Sequence, residues 1–175
     1  VWLLDLDNTL HDALPEIMPR INRDMTAYVA RALGVDHDEA SRVRQAYWMR
    51  YGATLLGMIR HHAIDPHEFL RDTHRFPDMD RLVRRSAQLA HVLRRLPGRK
   101  WVVTNAPRRY AHAVLYQLGV LPLIDGMVTI ESMTFAGRWQ PKPSVPMFRR
   151  LLARHRFDAH RCVMVEDSVE NLHGA

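Results

Sequence analysis

Cysteine is nearly absent from this chain. Cys162 is the only one, so no internal disulfide can form, and the usage fits a reducing compartment, the cytoplasm. Long apolar runs are missing too. No window approaches the roughly 18 apolar residues needed to span a bilayer, and nothing at the start reads as a signal peptide. A cytoplasmic protein with no membrane partner is therefore expected. Lysine is scarce, with Lys100 and Lys142 standing against 23 arginines. There is no internal repeat and no low-complexity tract. The eleven histidines show no zinc-like spacing.

What is present is an ordinary globular composition, 47% apolar over 175 residues. That length suits one domain with a modest insertion. Formal net charge is +6, yet the arginines are spread over many segments, among them Arg42, Arg60, Arg84, Arg94 and Arg108. The pattern reads as a solvated Arg-rich surface, with steering of an anionic substrate beside it.

The organising stretch is Leu3-Leu4-Asp5-Leu6-Asp7-Asn8-Thr9-Leu10. Val1 to Leu4 do not alternate in polarity, which suits a strand buried on both faces of a parallel sheet. Asp5 and Asp7 then fall at its carboxyl end, where open α/β sheets bind ligands. Two like charges so close repel unless a cation lies between them.

From Leu14 onward apolar residues recur at helical spacing, with a stop at Gly34. Asp36 or Asp38 caps a second helix that stops near Gly52. A short helix covers Leu55 to Ala63, and Asp65-Pro66 opens another. After Pro77-Asp78 the spacing predicts one long helix through Leu82, Leu89 and Leu96, ended by Pro97-Gly98. Further strands are expected at Trp101–Val103, Met127–Ile130 and Cys162–Val165. Helices are expected from Pro107 to Gly119 and, capped by Ser144, over Val145–His155. Phe135 to Gln140 reads as a loop or small hairpin.

Residues 13–80 carry no strand signal, and a crossover needs only about a dozen residues. The excess reads as a separate helical insertion (13–80) in an α/β core made of 1–12 and 81–175. The chain begins within a strand and ends as a helix opens, so a fragment of a longer protein is expected. In that case the fourth strand would be a sheet edge, and the loop at Glu166-Asp167 would be loose.

Asp5-Leu6-Asp7-Asn8-Thr9-Leu10 resembles the first motif of the haloacid dehalogenase-like hydrolase superfamily. Val102-Val103-Thr104-Asn105, Lys142-Pro143 and Val165-Glu166-Asp167-Ser168 resemble its other motifs, in the family's order and across almost the whole chain. Within it, Tyr51 to Gly57 and Thr104 to Ala111 resemble the pyrimidine 5'-nucleotidase branch, a shorter and less specific likeness. The resemblance implies a Rossmann-like core with an all-helical cap of the C1 type, closing over the site and reading the part of the substrate remote from phosphate.

It also implies roles. Asp5 would be the nucleophile and a Mg²⁺ ligand. Asp7 would be the general acid and a ligand through its backbone carbonyl; dehalogenases of the superfamily lack an acid at that place. Thr104, Asn105 and Lys142 would bind phosphate, with Thr104 and Lys142 also serving catalysis. Asp167 would complete the metal shell, with Glu166 as second choice, and Asn171 would support the loop. Thr9 would steady the turn. His11 follows the catalytic loop and is expected to face the cap, where Tyr47, Arg50, Tyr51 and Thr54 either read a base or ribose or pack the cap.

The expected reaction is Mg²⁺-dependent hydrolysis of a small phosphorylated metabolite, preferably a pyrimidine nucleoside 5'-monophosphate. A sugar-phosphate phosphatase is the nearest alternative and a phosphomutase the next. A basic nucleic-acid-binding module and a non-catalytic interaction protein are the readings from other classes. Oligomeric state is not legible in the sequence.

Overall fold

The apolar start forms the strand β1 (Trp2–Leu4), as its unbroken hydrophobicity requires. The computed structural model describes residues 1–175, which divide into two units, Val1–Ala13 with Pro77–Ala175 and Leu14–Phe76.

The second unit is all helix: α1 (Ile17–Leu33), α2 (His37–Tyr51), α3 (Thr54–His62) and α4 (Pro66–Thr73). Local chemistry sets the ends. Gly34 takes the left-handed conformation that ends α1 (φ 66°). The Asp36 carboxylate accepts from the Glu39 N–H at 2.8 Å, and Asp65 caps α4 ahead of Pro66. Ile21, Val29, Met58 and Phe69 are buried, with Tyr28 edge-on to Phe69 at 5.0 Å. Gly57 is required by close approach: a Cβ there would lie 2.2 Å from the Tyr47 ring.

The first unit resumes with α5 (Met79–Leu82) and α6 (Ala87–Arg95). The single long helix expected here is two. Val83 is extended, and the Ser86 hydroxyl caps a fresh helix by accepting from the Leu89 N–H at 3.1 Å.

Next come β2 (Lys100–Val103), α7 (Arg108–Leu118), β3 (Gly126–Val128), a hairpin of β4 (Thr134–Phe135) and β5 (Arg138–Trp139), α8 (Val145–His155), β6 (Val163–Val165) and α9 (Val169–Gly174). β3 stops two residues short of Ile130. Thr129 and Ser132 cap each other reciprocally, turning Ile130–Ser132 into a single 3-10 turn.

The main sheet runs β3-β2-β1-β6, all parallel, with Leu4 opposite Val102 on one side and Val165 on the other. Parallel strands joined by helices make it the expected Rossmann-like α/β core. Leu3, Val103 and Val128 pack on one face with Met147, Phe148 and Leu151 of α8. β6 is an edge strand, with Val163 and Val165 partly exposed. No helix is long and apolar enough to cross a membrane.

Candidate active site

The two aspartates leave β1 at its carboxyl end. The Asp5 N–H still pairs with the Val165 carbonyl at 2.9 Å, so the strand hands this residue over in fixed register. Leu6 is fully buried and anchors the following turn, its carbonyl accepting from the N–H groups of Thr9 and Leu10 at 3.4 and 2.9 Å. Asn8 is left-handed (φ 60°), a conformation Asn tolerates better than most residues. Its side chain accepts from the Ala13 N–H at 3.1 Å. Thr9 gives the turn only its N–H; its buried hydroxyl has no hydrogen-bond partner.

Lys142 comes from the loop before α8, flanked by Pro141 and Pro143, with a cis bond to the latter. Its ammonium donates to Asp5 Oδ1 at 2.6 Å and to Glu166 Oε2 at 2.5 Å. The Lys142 and Glu166 side chains are each only 1% exposed. An ammonium this buried needs anionic partners, and two carboxylates meet the need. The Asn105 side-chain amide grips the Lys142 backbone twice, donating to its carbonyl at 3.0 Å and accepting from its N–H at 2.8 Å. The Asn105 side chain thereby holds the Lys142 backbone in place.

Burial is the largest influence on Asp5, pushing its carboxyl up to about 6 against the opposing pull of Lys142. At the end of β6, Glu166 Oε1 accepts from the Asn171 amide at 3.0 Å and the Ser168 N–H at 3.4 Å. Asn171 thus holds the loop. Carboxylate oxygens of Asp5, Glu166 and exposed Asp167 lie within 4.8 Å of one another. This all-oxygen set suits a hard cation such as Mg²⁺. Both Glu166 oxygens already serve protein donors, whereas Asp167 is exposed. Thr104 directly follows β2, buried, with its hydroxyl oxygen accepting from the Ala106 N–H at 3.0 Å. Its O–H is a donor at the same sheet edge.

Asp7 has two partners. The Tyr110 hydroxyl, from the first turn of α7, donates to Oδ1 at 2.5 Å. His11 Nε2 lies 2.8 Å from the same oxygen. The His11 ring is thereby held against Asp7. Burial and the neighbouring carboxylate raise the Tyr110 phenol far above its ordinary range, so it stays a donor. Tyr110 was missed in the sequence. Its one signal was a place in the first turn of the helix that follows Thr104.

Within the helical unit, the Tyr47 hydroxyl meets His62 Nε2 at 2.7 Å and the Tyr51 hydroxyl meets His61 Nε2 at 2.6 Å. The Thr54 hydroxyl is buried and donates to the Arg44 carbonyl at 3.0 Å. These contacts lie within the helical unit.

Comparison with known proteins agrees with the geometry. A haloacid dehalogenase-like hydrolase model matches residues 1–175. Phosphate metabolism protein 8 of Saccharomyces cerevisiae is 28% identical over 138 residues, covering 73% of this chain. The chain spans only 42% of that relative's length. An HAD phosphatase from Thermococcus onnurineus has a similar fold, with TM-score 0.57 at 21% identity over 97% of this chain and 78% of its own. So does L-2-haloacid dehalogenase from Xanthobacter autotrophicus, with TM-score 0.56 at 16% identity over 99% and 71%. CbbY from Rhodobacter sphaeroides, solved with xylulose-(1,5)-bisphosphate, gives 0.56 at 17% over 99% and 80%. With its full length matched, and a motif-bearing loop at the carboxyl end of three parallel strands, this chain belongs to the haloacid dehalogenase-like hydrolase family.

Proposed function

We propose that this hydrolase is a Mg²⁺-dependent phosphomonoesterase that works through an aspartyl-phosphate on Asp5 and prefers pyrimidine nucleoside 5'-monophosphates. The observation that carries the reading is the buried Lys142 ammonium bridging Asp5 and Glu166 beside an acid, Asp7, that has its own hydrogen-bond donors. Positive charge next to the nucleophile and a positioned acid two residues on are what a phosphate ester needs. A relative named for phosphate metabolism supports the same chemistry.

Lys142 offsets charge on the phosphoryl oxygens and fixes one oxygen of Asp5. The Thr104 hydroxyl, with the main-chain N–H groups after it, binds a phosphoryl oxygen. The Asp5 carboxylate attacks phosphorus; the ester P–O bond breaks, and Asp7 gives its proton to the leaving oxygen. Asp7 then takes a proton from water as that water attacks the phosphoryl group, releasing phosphate and restoring Asp5. The carboxylates of Asp5 and Asp167 and the main-chain carbonyl of Asp7 would hold Mg²⁺, with Glu166 as second choice. When bound, the ion supplies charge that lets a carboxylate approach a phosphate dianion.

The nucleotide preference rests on the likeness of Tyr51–Gly57 and Thr104–Ala111 to the pyrimidine nucleotidase branch. Phosphate release from UMP, CMP, AMP, sugar phosphates and an aryl phosphate, with Mg²⁺ and with chelator, tests it. UMP and CMP should lead and chelator should stop turnover. Equal rates across the panel reject the nucleotidase assignment, and faster sugar phosphates replace it.

A further inference from the structure

We propose that Tyr110, with His11 beside it, is a positioning residue that confines the transferable proton of Asp7 to Oδ2. The inference rests on the reading of Asp7 as the general acid. Both hydrogen bonds to the Asp7 side chain fall on one oxygen: Tyr110 O–H at 2.5 Å and His11 Nε2 at 2.8 Å, each to Oδ1.

A carboxyl oxygen that accepts twice has no room for a hydrogen of its own. The protonated acid must then carry its hydrogen on Oδ2, with Oδ1 as the accepting oxygen. While Asp7 is ionised its carboxylate can only accept, so in that state His11 Nε2 carries the ring proton. A half-turn of the carboxyl group would exchange the two oxygens, and two donors on one of them hold it against that turn.

The donors cannot readily swing away to water. Tyr110 is 2% exposed and the His11 side chain 5%, against 14% for Asp7. The contacts also come from two directions, one along the loop itself and one from α7, 103 positions on. Such an arrangement fixes where a proton leaves rather than how tightly substrate binds. Its loss should therefore reduce kcat and leave KM nearly unchanged, since leaving-group protonation develops only in the transition state.

Leaving groups differ in their need for that proton. An alkoxide requires it, whereas a nitrophenolate departs largely without it. The experiment measures kcat and KM on an alkyl phosphate and on para-nitrophenyl phosphate for the wild type, Tyr110→Phe, His11→Leu, His11→Gln and Asp7→Asn, with thermal melts as a check on folding. Tyr110→Phe should lower alkyl kcat about tenfold, a fraction of the ~10²–10⁴ that a positioned acid supplies, with a much smaller loss on the aryl ester. His11→Gln, whose amide keeps a donor, should retain more of the alkyl rate than His11→Leu.

Asp7→Asn separates the role of Asp7 from that of Tyr110. If it leaves the alkyl-to-aryl ratio unchanged, Asp7 is not the general acid and both readings fail. If it collapses the ratio while Tyr110→Phe does not, or if Tyr110→Phe raises KM alone, the Tyr110 assignment is overturned and that of Asp7 stands. Should Tyr110→Phe fail to fold, the His11 pair reads the same oxygen, and equal alkyl rates for His11→Gln and His11→Leu overturn the proposal.

Discussion

Lys142 carries the densest electrostatics in the molecule, a buried ammonium between Asp5 at 2.6 Å and Glu166 at 2.5 Å. Removing one member of a buried ion cluster strands the others. Lys142→Met should therefore cost about 3–5 kcal/mol of stability, read by denaturant unfolding, as well as activity. Lys142→Arg should not restore either, because a planar fork does not fit a pocket that holds a compact ammonium. Asp5→Asn should differ in kind, abolishing turnover while the fold survives by circular dichroism.

Asp5 also sets a pH dependence. Its carboxyl ionises at about 6 in the folded protein, against an ordinary value of 3.8. Across that window the metal-free folded chain binds more protons than the unfolded one, so its stability falls as pH rises toward 6 and levels off above. A cation bound to the ionised carboxylate opposes that loss. The rise in Tm on adding Mg²⁺ should grow across the window and flatten above it; a rise independent of pH would contradict this. Asp5 and Asp7 were readable in the sequence because carboxylates directly after an apolar strand have no packing purpose. Tyr110 was not, because its bond to Asp7 depends on how α7 docks rather than on spacing.

Helix ends follow chemistry that is local. Gly34, Asp36, Asp65-Pro66, Pro107, Gly119 and Ser144 mark boundaries in the sequence because each satisfies or ends a turn by itself. The break between α5 and α6 was hidden because apolar spacing continues across it; only the Ser86 cap and the extended Val83 reveal it. Ser86→Ala should thus cost about 1 kcal/mol, measured by thermal unfolding. Gly57 is an element-scale contact of another sort, with the Tyr47 ring of α2 lying where a Cβ would go. Gly57→Ala should push α2 from α3 and destabilise the helical unit by about 1–3 kcal/mol. A neutral Gly57→Ala would mean that the ring has room to move.

Across the whole molecule, a parallel sheet gathers residues distant along the chain at one edge. β1 delivers Asp5 and Asp7, β2 delivers Thr104, and β6 delivers Glu166 and Asp167. The motif order announced this gathering, whereas the hydrogen bonds that fix Lys142 through Asn105 could come only from coordinates. Under the proposed function this edge transfers a phosphoryl group to Asp5. The most direct test of that transfer is rapid acid quench during turnover of an aryl phosphate with Mg²⁺, followed by peptide mass spectrometry. A hydroxylamine-labile phosphoryl group should appear on Asp5 and be absent from Asp5→Asn; turnover with Asp5 unmodified at every time point, or a phosphoryl group on another residue, would contradict transfer to Asp5.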